Sequence, residues 1–136
     1  MTSIEELLLH YNKDPKVESI NTASDQAKPI WIHLDGMIGA LDCFVLAGAY
    51  QASPNSHIYI ANDKEEAAYI QNTIASLLDP KTIHFFPDSF KRPMMYDELD
   101  KNNVLIRTDT INKVHTAKGR KQILVTYPEA IFEKAV

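Results

Sequence analysis

A strand-like run, a glycine turn and an apolar helix follow one another between Pro29 and Tyr50. This stretch constrains the chain more than any other. Residues 30–34 read as a first strand. From Gly39 to Tyr50 the sequence is apolar almost all round, with Asp42 its only charge, which is the pattern of a buried helix. A strand feeding a helix through a glycine turn is the opening unit of a nucleotide-binding α/β domain. The phosphate loop of such a domain is G-x-x-x-x-G-K-[ST]. Started at Gly36, that template puts its second glycine on Leu41, its lysine on Asp42 and its hydroxyl on Cys43. The frame is present and the chemistry is missing.

Each replacement has a physical consequence. Leu41 puts a side chain where a phosphate must come close to the backbone. Asp42 sets an anion in place of the cation that meets the outer phosphates. Two like charges about 4 Å apart repel by roughly 4 kcal/mol at an effective dielectric near 20. Cys43 replaces the hydroxyl that would hold magnesium, a hard ion that takes oxygen. With Gly39 as N-cap, Asp42 is the third helical residue, where a carboxylate suits the free amides and the positive end of the dipole. It then sits where a nucleotide phosphate would bind. Cys43 is read as a buried apolar cysteine. The alternative is a nucleophile with its thiol pKa lowered at the helix N-terminus and His33 nearby.

The rest of the chain fits strands alternating with helices. Ser3-Ile4-Glu5-Glu6 is a capping box that starts a helix near Ile4, and Asp14-Pro15 starts a second that runs to about Ala23. Residues 1–28 read as an N-terminal helical annex, and 29–136 as the α/β domain. Gly48 reads as a close-packing position in the central helix. Residues 57–61 are a strand. Asn62 or Asp63 caps a helix to Leu78, with Ala67, Ile70, Ile74, Leu77 and Leu78 inward, and residues 82–86 are a strand. Residues 87–102 form the least regular connection, and long connections often carry function. A helix at about 103–117 is expected to bury Val104, Leu105, Ile111 and Val114. Residues 122–126 are a fourth strand, and Pro128 opens a last helix whose Ile131 and Phe132 read as core contacts. That helix is still amphipathic where the sequence stops, so a fragment of a longer protein is expected. The fold class is α/β: three layers, a mostly parallel sheet flanked by helices, with a degenerate phosphate loop.

Charge and cysteine usage bound the function. A net charge of -4 argues against a dominant nucleic-acid footprint. The single cysteine excludes an internal disulfide and fits a reducing, cytoplasmic compartment. The N-terminus lacks a basic region before an apolar run, so it is no signal peptide, and no apolar run approaches the roughly 20 residues that span a membrane. His10, His33, His57, His84 and His115 show no metal-ligand spacing. Two stretches are candidate partner surfaces. One is Met94-Met95-Tyr96, since methionine adapts to varied contacts; covering the sheet edge is its other reading. The other is the basic run Lys113, His115, Lys118, Arg120 and Lys121, which reads as a solvated helix end or as a contact to nucleic acid or an acidic partner.

The order of these pieces resembles the N-terminal region of the bacterial transcription-repair coupling factors (Mfd), itself similar to the excision-repair protein UvrB. The residues that carry it are Leu34-Asp35-Gly36-Met37-Ile38-Gly39-Ala40-Leu41-Asp42, then Ile58-Tyr59-Ile60-Ala61-Asn62-Asp63, Phe86-Pro87-Asp88-Ser89-Phe90, and Ile123-Leu124-Val125-Thr126-Tyr127-Pro128-Glu129-Ala130-Ile131. The resemblance covers about 29–136. It implies a domain like the first domain of UvrB, with a phosphate loop that is intact in UvrB and degenerate in the coupling factors, as at Leu41, Asp42 and Cys43. It implies a parent that displaces stalled RNA polymerase, recruits UvrA to nucleotide excision repair, and is held autoinhibited partly through this region. The ATP- and Mg-dependent DNA translocase motor would lie downstream, and the main UvrA surface in the following domain. RNA polymerase and DNA would be met by other domains. The fragment itself is then expected to be no enzyme, with no catalytic residue, cofactor or metal of its own. The competing reading is a nucleotide-binding α/β enzyme domain with an atypical phosphate loop at Gly36, Gly39, Leu41, Asp42 and Cys43.

Overall fold

The computed structural model describes residues 3–92 and 95–134 of the 136, and of 91–97 only the backbone where described. Six α-helices and five strands run in the order α1 Ile4–Asn12, α2 Pro15–Ser24, α3 Leu41–Ala52, β1 His57–Ile60, α4 Lys64–Leu77, β2 Ile83–Phe85, β3 Phe90–Arg92, β4 Met95–Leu99, α5 Lys101–Thr116, β5 Ile123–Thr126 and α6 Pro128–Phe132. A short 3-10 turn, Pro80–Thr82, leads into β2.

Local sequence sets most helix starts. Ser3 and Glu6 form the capping box on α1, each side chain bonding the other's backbone N–H. Asp14 caps α2 with Pro15 in its first turn, Asp63 caps α4, and Asp100 caps α5 through two amides. In α4 the spacing of Ala67, Ile70 and Ile74 buries one stripe, as its periodicity requires.

The sheet is three-stranded, parallel, in the order β1-β5-β2. β5 is central, paired with His57–Ile60 on one side and Ile83–Phe85 on the other. α3 and α4 share one face: Cys43 and Tyr50 lie in the same buried cluster as Ile70, Ile74, Ile123 and Val125. The crossover from β1 to β2 through α4 and the return to β5 through α5 run in opposite directions. Both being right-handed puts α5 on the other face. An α/β class with helices flanking a parallel sheet is therefore borne out. α1 and α2 pack on α3, burying Leu8 and Val17, and Gly48 is where they come close. A Cβ there would stand 2.4 Å from Asn12 Oδ1.

Several sequence expectations are corrected. Residues 30–34 form no strand. They run over the surface without regular structure and, among the described residues, without backbone hydrogen bonds, and Trp31 is 96% exposed. Strand propensity alone does not make a strand: the backbone must also pair with an edge, and on this path it pairs with none among the described residues. The connection at 87–102 contains an antiparallel hairpin of β3 and β4. The buried side of α5 is Asn103, Arg107 and Thr110, while Leu105, Ile111 and Val114 are exposed. Two of these polar groups meet backbone carbonyls that would otherwise be stranded: Thr110 donates to Phe85 O and Arg107 to Pro87 O, whereas the buried Asn103 Nδ2 has no partner among the described residues. α6 ends at Phe132, with Ile131 and Phe132 exposed and Ala130 buried; five residues make too little helix to turn both apolar side chains inward. The last two residues lie outside the described chain.

Candidate functional site

The loop from Gly36 to Cys43 closes on itself. Gly36 and Gly39 take positive φ, 73° and 62°, which glycine adopts without strain. The N-cap of α3 is Ala40, so Asp42 is its second helical residue rather than its third. Gly39 lies one residue before the cap, in a left-handed turn, and Ala40 caps without a side-chain hydrogen bond. Leu41 N–H donates to Ile38 O at 3.3 Å, and Cys43 N–H donates to Asp42 Oδ1 at 2.7 Å. Asp42 Oδ2 accepts from the Tyr59 hydroxyl of β1 at 2.7 Å. The carboxylate thus takes one amide of the helix end and is held in place from the sheet. A phosphate arriving there would meet an anion and amides already engaged.

Burial and this carboxylate also set the chemistry of their neighbours. Burial, then the charge of Asp42 and its hydrogen bond, push the Cys43 thiol up to about 12. Burial, then the hydrogen bond to Asp42, raise the Tyr59 phenol as well. A thiol so placed stays protonated and is no nucleophile at neutral pH. Cys43 is fully buried, whereas His33 is exposed on the surface segment.

That segment forms one wall of a cleft of about 570 Å³. The other walls are α2 and the start of α3. Val17, Ile20, Leu34, Met37, Leu41 and Val45 give an apolar lining. Asp14, Lys16, His33 and Asp35 stand among them. Asp14 Oδ1 already accepts from Lys16 N–H, and Asp35 Oδ1 from Gly36 N–H. The cleft has the lining of a surface for apolar groups and offers a single lysine to an anion. Among the described residues no group of three or more His, Cys, Asp or Glu could hold a metal ion.

The two candidate partner surfaces fare differently. Met94 lies outside the described residues. Met95 and Tyr96 fall in β4, whose backbone pairs with β3. Lys118 takes a left-handed turn after α5 and is exposed. Arg120 Nε donates to Ala117 O. Lys121 is structural: its ammonium donates to the carbonyls of Tyr50, Gln51 and Ser53 and lies 4.4 Å from the Tyr50 ring centroid. It closes the C-terminal end of α3, where orphan carbonyls and the dipole favour a cation. The basic run is therefore split, and the structure does not bring it together with the phosphate-loop positions.

Sequence reasoning missed three anchoring residues. Tyr59 is the partner of Asp42. Tyr127 is 2% exposed, and its hydroxyl donates to Asp88 Oδ1 at 2.6 Å and accepts from Asp88 N–H at 2.9 Å. Arg107 is buried beneath α6. None of the three left a signal: alternation with Ile58 and Ile60 would have turned Tyr59 away from the helices.

Compared with family models, curated proteins and solved structures, the chain matches none. No helix among the described residues is long and apolar enough to cross a membrane.

Proposed function

We propose that this chain is a non-catalytic interaction and regulatory module of a transcription-repair coupling factor, acting in the cytoplasm. The observation that carries the non-catalytic half is the hydrogen bond from Tyr59 to Asp42, which fixes a carboxylate over the helix end that a phosphate would need. The raised thiol of Cys43 and the apolar cleft support the same reading, since neither supplies an anion site or a nucleophile. The coupling-factor half rests on the order of motifs from Leu34 to Ile131. In this reading the fragment makes intramolecular contacts that help to restrain its parent. UvrA is recruited mainly by the following domain, and ATP and Mg belong to the downstream motor.

Titration calorimetry with ATP and magnesium tests the first half, with no saturable heat expected. Micromolar binding that is lost when Gly39 is replaced by a bulky residue would overturn it. For the second half, the isolated fragment is expected to bind UvrA weakly or not at all. The sequence following Val136 is expected to lead to a motor with an intact G-K-[ST] loop.

A further inference from the structure

One edge of the sheet is unfinished, and the chain carries a strand that matches it. His57 N–H donates to Gln122 O and Ala61 N–H to Thr126 O. The odd-numbered residues of β1 therefore face β5, and the N–H and C=O groups of Ile58 and Ile60 point outward. Among the described residues these four groups have no partner. The side chains of Ile58 and Ile60 are 65% and 58% exposed, although a parallel sheet is normally covered on both faces. Open, apolar edges of this kind recruit strands.

The complementary half is the segment 30–34. Its backbone is equally unpaired, and it alternates Ile30, Ile32 and Leu34 with Trp31 and His33. This is the pattern of a strand with one apolar face.

Handedness says which edge it fits. α4 links β1 to β2 over one face, and α3 lies on that same face. A strand that feeds α3 and then β1 must cross over in the same sense as α4. A right-handed crossover of that sense puts the strand outside β1, parallel to it, on the open edge. The connections agree. α3 begins near the C-terminal end of β1, where Asp42 meets Tyr59, so residues 35–40 need only return from the sheet's C-terminal end.

We propose that the open edge of β1 is an acceptor for this chain's own residues 30–34. The segment docks there as a fourth, parallel strand, and the detached surface path is the other state of a two-state element. In the docked state Ile58 and Ile60 donate their N–H groups to the segment's carbonyls. Ile30, Ile32 and Leu34 turn toward α3, and Trp31 lies over the side chains of Ile58 and Ile60. The same movement removes one wall of the cleft, so the two states offer partners different surfaces. Tethering favours the chain's own segment over a second copy's, because short connections give a high effective concentration.

Amide hydrogen exchange on the whole chain, read by NMR, tests this. The Ile58 and Ile60 amides should exchange about tenfold or more slowly in wild type than in Ile32→Pro, which cannot pair as a strand. The Ile123–Thr126 amides should stay protected in both, which shows that the variant folds. Leu34→Pro is a second break at a different position: like Ile32, Leu34 would turn its N–H toward β1 in the docked state, so it should act alike. Trp31 is the sole tryptophan, so its emission should shift to the red in both variants. Equal exchange at Ile58 and Ile60 in wild type and both variants would overturn the proposal. Protection that fades on dilution together with a dimer mass by light scattering would overturn it too, by making a second copy the occupant.

Discussion

Arg107 is the most exacting test of how this fold is held. Its Nη1 donates to Pro87 O and Ala130 O, both at 2.9 Å, and its Nη2 donates to Glu133 O at 2.8 Å. Its Nε lies 3.9 Å from Glu133 Oε1, and the guanidinium sits 4.0 Å from the Phe86 ring centroid. One side chain thus ties the end of β2, α5 and α6 together while only 6% exposed. Arg107→Met keeps much of the volume and removes every donor. Three carbonyls lose a charged donor, and such hydrogen bonds are worth about 1.5–3 kcal/mol each. They do not add, because water reaches some carbonyls once the guanidinium is gone. Removing one partner of a buried charged network costs about 3–5 kcal/mol, and that is the loss expected here. Arg107→Lys keeps the charge but lacks the planar fork that meets three carbonyls, so it should fall between the two. Urea unfolding followed by far-UV circular dichroism measures this; tryptophan emission is a poor probe because Trp31 reports on the 30–34 segment rather than on this network. A loss under about 1 kcal/mol for Arg107→Met would refute the claim that the network holds α6 down.

Three further outcomes follow from the same geometry. Gly48→Ala puts a methyl 2.4 Å from Asn12 Oδ1 and should cost about 1–3 kcal/mol, with part of the loss recovered in the double variant with Asn12→Ala. Cys43 deprotonates near 9.0 when unfolded and near 12 when folded, so its contribution is full below pH 9 and is lost as pH rises toward 12. The fall in urea midpoint from pH 8 to pH 10 should be larger in wild type than in Cys43→Ala, and a wild-type stability that rises over that interval would contradict it. Phe132→Ser should leave the midpoint within about 0.5 kcal/mol, because the ring is 88% exposed; a loss of 2 kcal/mol or more, as for a core residue, would show that it packs.

The sequence by itself determined what depends on neighbours a few residues apart. The capping box at Ser3 and Glu6, the caps at Asp14 and Asp63 and the buried stripe of α4 need only local geometry. The residue types at Leu41, Asp42 and Cys43, with no cation and no hydroxyl among them, are likewise read directly from the sequence. The Cys43 reading as a buried thiol agrees with its burial and raised pKa.

Tertiary structure decided which faces and edges found partners. Alternation in His57-Ile58-Tyr59-Ile60 would turn the isoleucines inward, yet His57 and Tyr59 face the helices, because the register with Ile123 and Val125 fixes the pleat. In α5 the apolar residues suggest one side and the sheet takes another, since Arg107 and Thr110 find carbonyls presented by β2, α6 and the turn after it. Lys121 reads as a free surface cation until the end of α3 is placed beside it, seventy residues away in sequence. Residues 30–34 have the composition of a strand, but a strand exists only where another edge supplies its hydrogen bonds. No local pattern records whether that edge is occupied.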